Sequence, residues 1–444
     1  MANWKPQPRK KDFKEMHRIF TTAVSLAALG GALATASTDA FAQQAPAAPA
    51  APASWWDTFK LSGYLDGGIT VNPDSPSNGI NFGHLYTDRA NTPLLNQLSG
   101  IATRPLDPKA TDFDYGFTVQ LMYGSDARYT HFFNEFDRVI DSRYQFDVVE
   151  ADLLLHAPTI AGGTDFHIGQ YPTPVGYEVI NPSGNPLYSH SYIYNFGIPI
   201  KHSGFYSVTH ATDMVDVYFG IDWGNLTQPL PNGDNNGALA GLGGFGLNLL
   251  GGNLTILALT HIGPENASRT FATVGAADVN GTFRYFNDIV TTWKINDSLT
   301  LTNEINYVKD DIVIPGTSTN HPDAYGVAQY ATYTLNELLT LQGRAEIWRD
   351  SQGFFSAAFP GNFDFTDAGR GIPTNDLIVV NKATYEEITL GVNIKPPLPD
   401  SMSHFSGTMI RPEVRFDHAD QAHPFDSQTS DHQFTLGVDL IIPF

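Results

Sequence analysis

The sequence predicts an all-β protein: a transmembrane antiparallel up-and-down β-barrel of about sixteen strands. Three observations carry that prediction. From Trp55 onward, hydrophobic residues recur at every second position, the period of a sheet with one apolar and one polar face. The connections between these segments alternate between short and long along the chain, as the two sides of a membrane barrel require. The last stretch, FTLGVDLIIPF (434–444), keeps the alternation to a terminal phenylalanine, where chains ordinarily fray into polar residues.

Composition removes other classes. Charged residues are 16% of the 444, against about a quarter in ordinary soluble domains, while Gly (40), Tyr (19) and Phe (29) are plentiful. Lys and Arg number 25 against 46 Asp and Glu, a net charge of −21. Phosphate backbones are therefore excluded, and nucleic acid is not an expected partner. There is no cysteine, which rules out disulfides and thiolate metal sites.

The N-terminus reads as export information. Residues 17–42, HRIFTTAVSLAALGGALATASTDAFA, set a basic start (Arg18) before an uncharged run and close on the small-x-small pattern Ala40-Phe41-Ala42. This is the pattern of a cleaved secretory signal peptide; the alternative is an N-terminal membrane anchor. Met16 is the natural start, so 16–42 is assigned as the signal and 1–15 as a start-site extension. Cleavage removes six Lys/Arg and three Asp/Glu, taking the net charge from −21 to −24. Residues 43–54, QQAPAAPAAPAS, form an extended Ala/Pro spacer in the periplasm. Nothing later approaches the roughly 20 apolar residues of a membrane helix.

The barrel is assigned to 55–444. In DMVDVYFGIDWG (213–224), Val215, Val217, Phe219, Ile221 and Trp223 share one face, while Asp216, Tyr218, Gly220 and Asp222 share the other. Comparable segments lie at 60–72, 92–105, 112–123, 143–156, 165–170, 202–210, 214–223, 238–250, 253–262, 283–294, 298–310, 323–335, 338–350, 383–396, 406–418 and 431–444. Even-numbered connections such as 251–252 and 336–337 are short; odd-numbered ones such as 171–201 and 351–382 are long. Short turns face the periplasm and long loops the exterior, and an even strand count returns both termini to the periplasmic side. Trp223, Trp293, Tyr307, Tyr333, Trp348 and Phe416 are placed to form interfacial girdles. The alternative is a soluble all-β adhesin or propeller, but no repeat of about 40 residues is present.

Lipid offers no hydrogen bonds, so a spanning sheet must close on itself, with the apolar face outward and the polar face lining the interior. Sixteen strands enclose an aqueous channel, which predicts a diffusion pore. The third long connection, PTPVGYEVINPSGNPLYSHSYIYNFGIPIK (172–201), is stiff with Pro, Gly and Tyr. It is expected to fold into the lumen and narrow it, as the third loop of porins does, with Glu178 as its charge; the alternative is an extracellular cap. RAEIWRD (344–350) and RPEVRFD (411–417) put Arg344 and Glu346, and Arg411, Glu413 and Arg415 with Asp417, on polar faces. These are the pore-lining and constriction candidates. Such mixed rows either set a transverse field that selects by charge or brace the wall as a salt-bridge ladder.

Three stretches resemble the OmpL-like β-barrel outer-membrane porin family: GQYPTPVGYEVINPSGNP (169–186) leading to IKHSGFY (200–206), YATYTLNELLTLQGRAEIWRDSQGF (330–354), and the terminal TLGVDLIIPF. The likeness covers about residues 55–444. It implies a channel for small hydrophilic solutes in the outer membrane of a Gram-negative bacterium, surrounded by outer-membrane lipid and without catalytic residues. The terminal Phe444 resembles the membrane-insertion signal read by the barrel-insertion machinery, and a homotrimer is expected by analogy. The alternative function is a substrate-specific, sugar-type channel or surface-binding barrel, with Tyr177, Tyr188, Tyr192 and Tyr194 as an aromatic slide.

Enzyme signatures are missing: no G-x-S-x-G elbow, P-loop or H-E-x-x-H occurs. His202 and Ser203 are adjacent, and adjacent strand residues face opposite ways. DHADQAH (417–423) offers Asp417, His418, Asp420 and His423, but is read as a solvated loop; NGDNNG (232–237) lacks the later Glu of a calcium loop. The chain is therefore expected not to be an enzyme and to hold no cofactor and no metal.

Overall fold

The structure is a computed structural model that describes residues 55–444 apart from 108–109, 138, 159–161, 231–232, 271–278, 314–319 and 375. The signal peptide and spacer expected at 1–54 lie outside the described residues. The alternating segments form sixteen long strands: β1 (Lys60–Val71), β2 (Pro93–Arg104), β3 (Asp114–Gly124), β4 (Gln145–Ala157), β5 (Thr164–Pro172), β6 (Lys201–Thr212), β7 (Val215–Asp222), β8 (Ala240–Leu249), β9 (Leu254–Pro264), β10 (Phe283–Lys294), β11 (Leu299–Asp310), β12 (Asp323–Thr334), β13 (Leu339–Asp350), β14 (Ala383–Ile394), β15 (Met409–Asp420) and β16 (His432–Pro443). Each pairs antiparallel with its sequence neighbours, and β16 pairs with β1, so the ring closes. No helix among the described residues is long and apolar enough to cross a membrane.

Side-chain parity sets inside from outside. On β16, Phe434, Leu436, Val438 and Leu440 are 40%, 41%, 37% and 37% exposed, while Thr435 and Asp439 between them are 2% and 1% exposed. The same inversion runs round the ring: Val217, Phe219, Ile289, Ile305, Val327, Ile347 and Leu390 all face outward and are exposed. An apolar belt of that extent has no place in water; against acyl chains it is matched. Trp293 and Tyr333 lie outward near the periplasmic ends of their strands, and Tyr307 and Tyr325 near the opposite ends. Trp348 departs from the expected girdle. It shares the parity of Arg344 and Glu346, so it faces inward, fully buried, and its Nε1 donates to Ser356 Oγ at 3.0 Å.

The periplasmic turns are short because side chains close them. Asn296 Oδ1 accepts from the amides of Ser298 and Leu299, and Asn336 Oδ1 accepts in the same way from Leu338 and Leu339, all at 2.9–3.0 Å. These are Asx-type turns. The connection 395–408 is longer and carries a 3-10 turn at Asp400–Phe405.

The seam uses the last residue. Gly63 N donates to Phe444 O at 2.8 Å, and Phe444 N donates to Gly63 O at 2.9 Å. A Cβ at Gly63 would strike the Phe444 ring and lie 2.5 Å from the Ser99 carbonyl oxygen, so only glycine lets the ring lie across the β1–β2 edge. Gly63→Val is therefore expected to cost about 1–3 kcal/mol of overpacking. On unboiled SDS gels its fast-migrating folded band should be much weaker than the wild type's, with Gly63→Ala between the two. Equal bands for all three proteins would show that the seam tolerates a side chain there.

Candidate functional site

The connection from β5 to β6, residues 173–200, does not cap the barrel. Its partners are inward side chains of β11–β15 and β2. On a ring of sixteen, β13 and β14 stand eight strands from β5 and β6, so the loop leaves one wall and crosses to the opposite one. A 3-10 turn at Pro182–Gly184, capped by Asn181 Oδ1 accepting from Ser183 N at 3.0 Å, forms its tip. That tip rests on Arg411, the third residue of β15, close to the periplasmic end of the strand. A five-residue π-helical turn, Ile193–Gly197, leads back toward β6.

Irregular backbone inside a barrel has unpaired amides and carbonyls that water no longer serves, and these must be paired. Here the wall supplies partners by charge. The Glu304 carboxylate accepts from Tyr177 N at 2.9 Å. Glu413 accepts from Tyr188 N (2.8 Å) and Ser189 N (3.1 Å), and Glu346 from Tyr192 N (2.7 Å) and Ile193 N (2.8 Å). The arginines serve the carbonyls. Arg411 Nη1 donates to Pro182 O and Asn185 O at 2.8 and 2.9 Å, Arg344 Nη1 to Ser189 O at 2.8 Å, and Arg415 Nη1 to His190 O at 2.6 Å. Gln97 Nε2 and Asn306 Nδ2 serve Ile180 O and Gly197 O.

The guanidiniums are neutralised by one another's neighbours. Arg344 lies 2.8 Å from Glu178 and 2.9 Å from Glu387; Arg415 lies 2.7 Å from Asp417 and 3.9 Å from Glu387; Arg411 is paired with Asp439. Asp417 also accepts from Tyr192 Oη at 3.1 Å and lies 3.1 Å from His84 Nε2, which brings in the loop between β1 and β2. Burial pushes the Glu178 carboxyl up, but the Arg344 guanidinium, His190 and the Ser191 amide outweigh it and hold it at about 2.

The structure thus brings all six sequence-selected charges, Glu178, Arg344, Glu346, Arg411, Glu413 and Arg415, into one assembly, each nearly fully buried between loop and wall. Tyr188, Tyr192 and Tyr194 are buried with them, so of the four tyrosines only Tyr177 keeps partial exposure, its ring tilted against Tyr330 at 4.6 Å. Other loops fill the outer half. Asp88 receives Arg128 at 3.1 Å and Arg143 at 2.8 Å, and Arg128 Nη2 donates to Phe359 O at 2.6 Å.

The wall from β4 to β10 is different. Facing inward in its periplasmic half is a row of polar groups, partly exposed apart from the buried His156: Asp165 with His156 (2.5 Å) and His210 (3.3 Å), Asp216 with His210 (2.7 Å), and His167 stacked on Tyr206 at 4.4 Å. Toward the outer face lies a cavity of about 340 Å³, lined by Phe133, Phe196, Phe286, Phe355, Glu265 and Arg284 among others. The cavity provides open space in the outer half, and the row below it keeps partial exposure.

Sequence reading does not single out Glu304, Glu387 and Asp439 in the clamp, nor the His/Asp row. Parity is the signal that finds the first group: Glu387 stands between Tyr385 and Thr389 on the inward face of β14, as Glu304 stands between Thr302 and Asn306 on β11. The segment 417–423 is not a solvated loop at its start. β15 runs on to Asp420, so Asp417 points into the clamp while His418 faces outward, 3.4 Å from Glu386; strand alternation splits the apparent cluster.

The profile of the family described as "Putative beta-barrel porin-2, OmpL-like" matches residues 58–444. No curated protein sequence matches the chain. Among solved structures, the chain is similar to an anion-selective porin from Comamonas acidovorans (11% identity, TM-score 0.53, covering 87% of this chain and 99% of that one). It is also similar to OmpF of Salmonella typhi in complex with daunomycin (10%, 0.52, 87% and 97%) and to the outer-membrane channel DcaP of Acinetobacter baumannii (12%, 0.51, 87% and 97%). At these identities the likeness is one of fold.

Two outcomes follow from the clamp. Arg344→Met leaves Glu178 and Glu387 buried without their shared cation, a loss of about 3–5 kcal/mol. Chymotrypsin should then cut the folded barrel at the tyrosines of 173–200 and is expected to leave them intact in the wild type. The Glu178 contribution has a defined pH sign. Its carboxyl is depressed from the ordinary 4.5 to about 2, so the stabilisation is complete above the ordinary value and is lost as pH falls through about 2. Protease resistance of the loop should therefore persist at pH 5 and decline only in strong acid, which a digestion series with an acid-active protease would read.

Proposed function

This chain belongs to the OmpL-like β-barrel porin family, which makes it an outer-membrane channel protein rather than an enzyme, and on that footing we propose that it passes small hydrophilic solutes and ions by passive diffusion. The observation that carries the reading is the asymmetry of the lumen. The third loop is bonded along the β11–β15 and β2 wall, while partly exposed polar side chains remain on β5–β7. The path runs from the aromatic vestibule, past the edge of the loop at Phe196 and Ile198, to the row of Asp165, His167, His210 and Asp216. In this reading the six selected charges hold the loop that sets the aperture, and selectivity belongs to the opposite wall. Asp165 and Asp216 there favour cations.

The rest of the reading rests on the sequence. Export uses a cleaved signal at 16–42, the insertion machinery reads Phe444, and the barrel assembles as a homotrimer in outer-membrane lipid. A substrate-specific channel is favoured by one feature, the phenylalanine-lined vestibule with Glu265 and Arg284 on its wall. Block of conductance by a particular solute at micromolar concentration would select that reading; dependence on solute size alone would remove it.

In a planar bilayer the purified protein is expected to give stepwise ohmic conductance, with a reversal potential on the cation-selective side in a salt gradient. A unit charge about 4 Å from a permeating ion in water is worth about 1 kcal/mol. The double variant Asp165→Asn, Asp216→Asn should accordingly lower the cation-to-anion permeability ratio roughly 5-fold or more. A sealed bilayer with correctly folded protein would refute the channel; an unchanged ratio would move selectivity away from this wall.

A further inference from the structure

Three buried side chains at the outer ends of their strands converge on one point: His202 on β6, Asp222 at the end of β7 and His261 on β9. His261 Nε2 lies 3.0 Å from Asp222 Oδ1, and His202 Nδ1 lies 3.4 Å from the same oxygen. One ligand atom from each lies within 4.8 Å of the others, and all three residues are essentially inaccessible. With metal–ligand bonds of about 2.0–2.1 Å, the edge of a tetrahedral site is about 3.4 Å, so the two distances to Asp222 are already those of neighbouring ligands.

The surrounding hydrogen bonds sharpen this. The other nitrogen of His202, Nε2, lies 3.0 Å from Thr173 Oγ1, at the root of the third loop. The other nitrogen of His261, Nδ1, faces the Glu265 carboxylate at 3.6 Å. Neither His202 Nδ1, His261 Nδ1 nor Glu265 Oε1 has a hydrogen-bond partner. A proton shared between Asp222 and His261 alone leaves these buried atoms unexplained. If His202 donates from Nε2 to Thr173 and His261 keeps its proton on Nδ1, facing Glu265, then Nδ1 of the first, Nε2 of the second and Oδ1 of Asp222, which also accepts from Gly224 N at 2.7 Å, turn lone pairs on one position. That is the outer-shell arrangement that orients metal-bound imidazoles.

We propose that His202, Asp222 and His261 form a site for a divalent transition-metal ion of the Zn²⁺ class, with Thr173 and Glu265 as its positioning residues. Two imidazoles and one carboxylate select borderline ions such as Zn²⁺, Co²⁺, Ni²⁺ or Cu²⁺ over Ca²⁺ and Mg²⁺, which demand oxygen. The site departs from the sequence expectation of no metal, and it is independent of which solutes the channel passes. Glu265 also lines the vestibule cavity, so a bound ion would pin β6, β7 and β9 to the loop root beside the proposed path.

The test uses the full mature chain, untagged, folded in detergent and stripped with chelator, with Co²⁺ and Zn²⁺ as probes. One equivalent of Co²⁺ should bind saturably, with the visible absorption of a low-coordinate N/O site, and Zn²⁺ should displace it. Zn²⁺ should also raise the temperature at which the unboiled gel band unfolds. His261→Gln is expected to weaken binding by roughly 100-fold or more, and Glu265→Gln and Thr173→Val by about 10–100-fold each. The last two leave all three ligands in place, so they carry the test if His261→Gln does not fold. Absence of stoichiometric binding by the folded wild type overturns the proposal. So does undiminished affinity in the folded variants, which would assign the metal to surface histidines.

Discussion

Everything in this barrel depends on how an irregular chain is kept inside it. A loop of nearly thirty residues within a lumen loses water on most sides, and each unpaired peptide group costs about 1–3 kcal/mol. The solution is a division by charge type. Carboxylates of Glu304, Glu346 and Glu413 take the amides, and the guanidiniums of Arg344, Arg411 and Arg415 take the carbonyls. Acidic and basic residues must then alternate along the wall because the loop backbone presents both kinds of group. Pairing with Glu178, Glu387, Asp417 and Asp439 offsets the desolvation of the three guanidiniums.

That requirement reaches back to the sheet. The residues that clamp the loop and those that meet lipid occupy alternate positions of the same strands, so one shift of register would exchange them. On β15 the inward series Arg411, Glu413, Arg415, Asp417 interleaves with the outward series Pro412, Val414, Phe416. A slip would place guanidiniums in acyl chains and hydrophobes against a polar loop. Closure of β16 on β1, completed by the Gly63–Phe444 pair, leaves no edge at which such a slip could be absorbed.

The same periodicity explains what was legible beforehand. Every strand lies within three residues of its sequence prediction, because alternation over about twelve residues is a long local signal. The inward facing of Arg344, Glu346 and the Arg411 series followed from parity alone. The partners of those charges did not: Tyr192 meets Glu346 across 154 positions and Arg411 meets Asn185 across 226, distances at which a single sequence carries no pairing information. Trp348 was misplaced because an aromatic near a strand end suits both a girdle and an interior, and only its parity with Arg344 decides. The His202, Asp222 and His261 group was invisible for a related reason. Its members sit on three strands, two of them not neighbours, with none of the fixed spacings that local metal motifs display.

The loop is fastened at both ends, and this determines what kind of pore it can make. At its root, Lys201 is buried against Asp147 at 2.6 Å and donates to Val148 O, and Thr173 meets His202. On the far wall the arginines and glutamates hold the tip and the return segment. A strap fixed only at its root would swing, and the opening would fluctuate with it. One fixed on opposite walls spans the lumen as a strut, so the free cross-section becomes a property of the scaffold. The cost is that half the wall is consumed in holding the strut and cannot touch a passing solute. In the proposed reading discrimination is thereby left to the other half, where Asp165, His210 and Asp216 bond mainly to one another and retain exposure. On that reading mechanical and selective duties are separated round the ring, and the separation follows from the need to pair a loop's backbone.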